Sequence, residues 1–196
     1  WRHKPRQCTR YRLSVCCTDA PSARAKSKLN QLTEAIMQYH PKRVRNEIIE
    51  ENEIDRILKK GNHITIALSS DDIPYIVTMS YGFDEQNKCL YFHSANKGDK
   101  LEYIRKNNRI CATIIEDNGY LKTKCDHDYR SLIIRGTISV IERLEEKKHG
   151  LQVLLNHLEE EPKPIFERNI KNDESYNGVT ILKLNIESII GKKYIG

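Results

Sequence analysis

The sequence predicts a mainly β domain with flanking helices, its antiparallel strands closed into a barrel. Three observations lead there. Short runs of alternating apolar and polar residues are separated by compact polar turns, the pattern of an antiparallel meander. Repeated strand–helix–strand units are missing, which argues against a doubly wound parallel sheet. About six strands would also leave long open edges unless the sheet curled onto itself.

Composition narrows the class. A chain of 196 residues with 38% hydrophobic and 31% charged content can bury one real core and carry a small appendage. No run approaches the length needed to cross a bilayer, and no N-terminal stretch has the order of a secretory signal. A soluble, cytoplasmic protein is expected. The six cysteines (Cys8, Cys16, Cys17, Cys89, Cys111 and Cys125) make no C-x-x-C pair and are read as reduced thiols. Cys89 and Cys111 fall in strand-like segments and are expected in the core.

The net charge of +6 is unevenly placed. Residues 1–43 carry ten Lys or Arg and two Asp or Glu, whereas the remainder is nearly neutral at −2. The basic balance therefore belongs to the front segment, and a nucleic-acid-binding domain is not expected. The predicted organisation is a basic N-terminal extension over 1–43, partly disordered or a short helix, followed by a domain over 44–196.

Within the extension, Leu29, Leu32, Ile36 and Tyr39 have helical spacing, and His40-Pro41 ends the run. Glu50 to Lys60 is a stronger helix, with Ile54, Ile57 and Leu58 on one face and Gly61 as its stop. Ile64, Ile66 and Leu68 alternate with smaller or polar residues and mark a half-buried strand over 63–69. After the turn Ser70-Asp71-Asp72, a second strand runs from Ile73 to Tyr81, and Pro74 points to a sheet edge. Gly82 to Lys88 connects to a third strand that ends at His93. A helix is predicted over 98–107 and a strand over 109–116, before the turn signal Asp117-Asn118-Gly119. Residues 120–129 give no clear pattern. Ser131 to Ile141 is a long strand in which Gly136 suits a bulge or sharp bend. A helix follows over 144–158 despite Gly150, then a short helix within 165–170, and a last core strand over 179–186.

The most suggestive chemistry lies where the third strand runs into HSANKGDKLEYIRKNN. Ser94, Lys97, Gly98 and Lys100 crowd the turn before a helix. Free N–H groups at a helix start, with lysines beside them, can seat an anion; a solvated turn is the plain alternative. Elsewhere there is no H-E-x-x-H, G-x-S-x-G, P-loop or Gly-rich dinucleotide loop. Cys125 and His127 fall short of the four ligands of a structural zinc site, and no metal is expected. The lack of a dedicated acid, base or nucleophile fits a protein whose chemistry resides in a cofactor.

From about Val44 onward the chain resembles the flavin-binding split-barrel superfamily that contains pyridoxamine 5'-phosphate oxidase, in particular its nitroimidazole-resistance-type branch. The resemblance rests on IDRILKKGNHITIALSS, on IPYIVTMSYGFDEQNKCLYFHSANKGDKLEYIRKNNRICATI, and on YRSLIIRGTISVI with its Tyr-x-Ser-x-x-x-x-Gly spacing. It implies an FMN-binding split β-barrel. Tyr75, Val77, Thr78 and Met79 would lie along the flavin ring. His93 and Ser94 would sit at the next strand end, Lys97, Gly98 and Lys100 around the phosphate, and Arg130 and Ser131 on the long strand. His93 and His63 are the candidates for substrate contact. The resemblance also implies a homodimer with the cofactor at the interface, a small-molecule substrate and a reduced nicotinamide donor. At the C-terminus, Gly191-Lys192-Lys193-Tyr194 departs from the Arg-and-His arrangement of the true oxidase, so a flavin reductase or nitroreductase-like role is implied instead of vitamin B6 synthesis. Two other readings compete: a non-enzymatic flavin- or haem-binding protein, and a ligand-free interaction protein attached through its basic segment.

Overall fold

The computed structural model describes residues 46–195. The predicted helix within 29–39 and the basic extension over 1–43 lie outside the described residues. The described chain runs β1 (Glu47–Ile48), α1 (Glu51–Lys60), β2 (His63–Ser70), β3 (Ile73–Ser80), β4 (Gly82–Asp84), β5 (Cys89–Ser94), α2 (Asp99–Lys106), β6 (Arg109–Leu121), β7 (Asp126–Val140), α3 (Leu144–Leu158), α4 (Pro162–Asn169) and β8 (Thr180–Tyr194). A 3-10 turn at Asp173–Gly178 precedes β8. All six expected strands are present, with two short strands, β1 and β4, added to them.

The strands form one antiparallel sheet in the order β3-β2-β6-β7-β8-β5-β4, with β1 paired to β8. The expected closure into a barrel is not found: the sheet is open, with β3 at one edge and β4 at the other. The physical reason lies in the chain path. β3 and β4 follow one another through the single residue Tyr81, so they continue along the chain and cannot fold back to pair side by side. β4 has only three residues, and Pro74 removes one N–H from β3, so both edges are poor templates for a further strand.

Alternation holds the sheet's inner face together. Ile64, Ile66 and Leu68 of β2, Ile110, Ala112 and Ile114 of β6, and Leu132, Ile134 and Ile138 of β7 are all buried in the principal core. α1 inserts Ile57 and Leu58 into this core, and α2 adds Leu101 and Ile104. The buried Tyr81 phenol donates to the Leu58 carbonyl at 2.7 Å, which fixes the end of α1 to the β3–β4 junction. A second cluster forms on the opposite face of β5 and β8. There Cys89, Tyr91 and Ile181 pack under Leu151 and Leu154 of α3.

Two local expectations change, at Asp117-Asn118-Gly119 and at Cys111, and one, at Gly136, is met. Asp117-Asn118-Gly119 is not a chain reversal; it is an irregularity within β6, where the pairing register with β7 shifts. The reversal comes later, at residues 122–125, where Thr123 and Cys125 have positive φ. At Gly136, where a bulge or sharp bend is expected, the β7–β8 ladder has a register shift, passing from Arg135–Ser188 to Gly136–Ile186. Glu187 is the extra residue, and a Cβ on Gly136 would overlap the Asn185 carbonyl oxygen. Cys111 is exposed, not a core residue, because it alternates out of phase with Ile110 and Ala112.

Candidate functional site

The turn between β5 and α2 has the features of an anion seat. Gly98 is the residue before α2 and has φ of 139°, a conformation that suits glycine, with nothing within 4 Å of where a Cβ would stand. Among the described residues no side chain caps the helix, which leaves the N–H groups of Asp99 and Lys100 without a side-chain partner, while the Leu101 N–H donates to the Gly98 carbonyl at 3.0 Å. Lys97 is exposed and Lys100 half-buried, and neither has an ion-pair partner among the described residues. Asp99, at the first helical position, adds a negative charge to the same end and restrains how strongly it attracts anions.

Asn96 pins this turn. Its side-chain amide donates to the Asn177 carbonyl at 2.8 Å, and its amide oxygen accepts from the Thr180 hydroxyl at 2.8 Å. Sequence reasoning missed Asn96; an asparagine inside a turn between strand and helix was the available signal. Ser94 is buried, and its hydroxyl donates to the Ala95 carbonyl at 3.0 Å.

Alternation divides the residues expected along the flavin ring. Tyr75, Val77 and Met79 point to the inner face of β3, where Met79 is in the core and the other two pack against it. The Tyr75 ring stacks on Tyr103 of α2, with centroids 4.9 Å apart. Thr78 points to the outer face and lies opposite Thr65, with the two hydroxyls 2.9 Å apart. A flat group on that outer face meets the Thr78 side chain but only the backbone of Val77 and Met79. Among the described residues β3 has no strand on its far side, so its edge N–H and C=O groups are open to a heteroaromatic with amide-like edges.

The outer face extends across five strands. Thr78, Thr65, Thr113, Ile133 and Ile190 form one cross-strand row. Ile115, Ser131 and Lys192 form another, and His63 pairs with Ser80 on the same face. Ile76 and Ile115 are 68% and 62% exposed there. The structure thus brings Thr78, His63 and Ser131 to one face.

It sends Arg130 to the other. Arg130 donates through Nε to Glu53 of α1 at 3.0 Å, and Lys193 pairs with the same carboxylate at 2.6 Å. Beside them, Arg56 of α1 makes a two-pronged pair with Glu116 at 3.1 and 2.7 Å. The Lys193 hydrogen bond, aided by Arg130, holds the Glu53 carboxyl below the usual range, against the effect of burial. Arg130 is therefore part of the clamp that holds α1.

His93 parts from Ser94 in the same way. It is exposed, shares its face of β5 with Tyr91 and Cys89, and lines a cleft beneath α3 and α4. His63 lies on β2 and borders a different hollow with Ile57, Gly61 and Ile115, so the two histidines do not share a site. His127 contacts Asp117, with Nε2 2.8 Å from Oδ1.

Residues 50–193 match the sequence profile of the family described as pyridoxamine 5'-phosphate oxidase. The chain belongs to this family. It is thereby a pyridoxamine 5'-phosphate oxidase-related protein, in a superfamily of flavin-binding proteins that includes a nitroimidazole-resistance-type homologue. That homologue is a candidate 5-nitroimidazole antibiotic resistance protein from Bacteroides thetaiotaomicron. The two are 26% identical, with a TM-score of 0.63 over 74% of this chain and 85% of the other. The oxidase-related chain also shares its fold with a flavocytochrome from Azotobacter vinelandii (17% identity, TM-score 0.68, 82% of this chain and 75% of that one). An FAD- and heme-binding protein from Mycobacterium smegmatis is similar at 18% identity and a TM-score of 0.64, over 77% and 74%. No curated protein matches the chain in sequence. Among the described residues, no helix is long and apolar enough to cross a membrane.

Proposed function

We propose that this chain is a cytoplasmic FMN-dependent oxidoreductase, of flavin reductase or nitroreductase type, that passes electrons to a small organic acceptor. The observation that carries the reading is membership of the pyridoxamine 5'-phosphate oxidase family over residues 50–193. The likeness to the nitroimidazole-resistance-type protein favours the reductase side of that family over vitamin B6 synthesis.

The residues present fit such a cofactor. Lys97 and Lys100 would neutralise the phosphate, with the open N–H groups of α2 beside them and no Cβ at Gly98 in the way. The edge of β3 would pair with the polar rim of the ring, with Thr78 and Ser131 facing the same side. A flavin held there would supply the redox chemistry between a reduced nicotinamide donor and the acceptor. The protein's part is to hold the ring, exclude water and orient the second substrate. His93 is the group we assign to contact it, since it is exposed near the end of β5 and lines the cleft there.

We further propose a homodimer in which the outer face of β3, β2, β6, β7 and β8 is covered by a second copy. Ile76 and Ile115 present apolar side chains to solvent on that face, which a second copy would cover. On this reading residues 44–196 are the flavin-binding domain and 1–43 an extension to it.

The test begins with protein purified without added cofactor. Absorbance bands near about 370 and 450 nm, tight FMN binding on titration and oxidation of a reduced nicotinamide are expected. Bound flavin that no donor reduces would mean a binding protein, and a haem-like spectrum would change the cofactor. Neither chromophore nor FMN binding would overturn the reading.

A further inference from the structure

We propose that the cleft between α3, α4 and the end of β5 is a nucleotide site, which holds an adenosine 5'-phosphate group and rejects one that carries a 2'-phosphate. A reduced nicotinamide dinucleotide and a flavin dinucleotide both contain such a group. The placing of its phosphate rests on the flavin reading above. The cleft has a volume of about 390 Å³, within the range of small-molecule sites. Its walls are aliphatic: Leu155 and Leu158 from α3, Ile165 and Ile170 from or beside α4, and Val179 before β8. Such walls take a flat, uncharged base out of water.

The neighbour of the cleft points to a nucleotide. His93 lines it and is followed directly by the turn that carries Lys97, Gly98 and Lys100. Gly178 and Val179 line it too, and they lie between Asn177 and Thr180, the two residues that hold Asn96 of that turn. An apolar recess and a cationic turn thus share one wall. A nucleotide needs that layout, since its base leaves water while its phosphate meets positive charge. No residue of β3 lines the cleft, so it suits the half of a dinucleotide that is remote from the reacting ring.

The polar lining fits a nucleoside and sets its selectivity. Asn169 and Glu159 line the cleft, and neither side chain has a partner among the described residues. An amide both donates and accepts, as the polar edge of adenine does. A carboxylate accepts from a ribose 2'-hydroxyl and repels a phosphate placed at that carbon. No lysine or arginine lines the cleft to offset the repulsion, and a 2'-phosphate would lose hydration there without gaining a cation. Glu159 is therefore the residue that reads the 2'-position.

The experiment titrates the full chain calorimetrically with 5'-AMP, adenosine 2',5'-bisphosphate, FMN and FAD. Wild type is compared with Glu159→Gln and with the cleft-filling Ile165→Trp, whose position is half-buried. Wild type is expected to bind 5'-AMP about tenfold or more tightly than the bisphosphate, and Glu159→Gln to narrow that gap. In folded Ile165→Trp, 5'-AMP affinity is expected to fall about tenfold or more, with FMN affinity unchanged within about twofold. FAD binding tighter than FMN binding, with the advantage lost in Ile165→Trp, identifies the cofactor's own adenylate as the occupant. Displacement of 5'-AMP by NADH from FMN-loaded protein identifies the donor's adenylate instead. Equal binding of 5'-AMP and the bisphosphate by wild type, or unchanged 5'-AMP binding in folded Ile165→Trp, overturns the site. FMN binding without 5'-AMP binding removes the nucleotide site alone, whereas 5'-AMP binding without FMN binding removes the flavin reading and leaves the site.

Discussion

Gly150 lies so close to Tyr91 that a Cβ at that position would stand 2.6 Å from the ring's Cδ1 and 2.9 Å from a methyl of Ile181. A glycine in the middle of a helix ordinarily costs stability relative to alanine. Here it lets α3 settle directly on β5 and β8. Gly150→Ala is expected to lose about 1–3 kcal/mol through overpacking, despite the gain in helix propensity. A urea unfolding curve reads this; an unchanged or higher midpoint would mean that α3 shifts without cost.

Lys97 and Lys100 make no ion pair among the described residues, in contrast to Lys193 of the α1 clamp. Each replacement by alanine is expected to weaken FMN binding by about tenfold, the scale of one charge-assisted phosphate contact. Riboflavin, which has no phosphate, provides the control. Its affinity stays level in both variants if the lysines meet phosphate, and an equal loss for FMN and riboflavin would remove them from that role.

The Glu53 clamp predicts a stability effect with no effect on cofactor. Glu53→Gln and Arg130→Ala should each destabilise the fold by about 1–2 kcal/mol, since the pair is largely shielded from water. FMN affinity should be unchanged in both; a marked loss in Arg130→Ala would return that residue to the site.

The same clamp has a pH signature. Glu53 is held below its ordinary value of 4.5 by the Lys193 hydrogen bond, with Arg130 adding to it and burial opposing it. Its contribution is whole above that ordinary value and is lost as pH falls through the lower folded value. Glu116, held down by its hydrogen bond from Arg56, acts in the same direction. Denaturation midpoints measured from neutral pH to about 3 should fall less steeply in Glu53→Gln than in wild type.

On the outer face, Ile76→Lys and Ile115→Lys are expected to convert a dimer to monomers with little change in monomer stability, because both side chains are already exposed. Sedimentation velocity decides it. Wild type that sediments as a monomer would end the dimer reading.

Much of the chain's local structure was legible because period-two alternation is strong in β2, β6 and β7, where one face is buried. What alternation did not show was where the sheet ends. Closure depends on which strands are neighbours, and the reuse of one continuous run as both edges, through Tyr81, leaves no mark in composition. For the proposed site, residue types alone single out the turn of Lys97, Gly98 and Lys100. The strands are marked less clearly. The resemblance named adjacent residues together, Arg130 with Ser131 and His93 with Ser94, while a strand necessarily turns neighbours to opposite sides. Parity alone separates Arg130 from Ser131, and the contact with Glu53 shows where Arg130 goes. Asn96 was missed because its importance comes from Asn177 and Thr180, far along the chain.

Tyr81 gives the two sheet edges a common apex. One edge ends at Ser80 and the other begins at Gly82, so the space between them is a wedge that can widen only away from that point. With its phenol locked to Leu58, the apex is also the part of the wedge least able to yield. Lengthening the chain between Ser80 and Gly82 would slacken the wedge along its whole length, whereas lengthening the Asp71-Asp72 turn would leave its angle as it is.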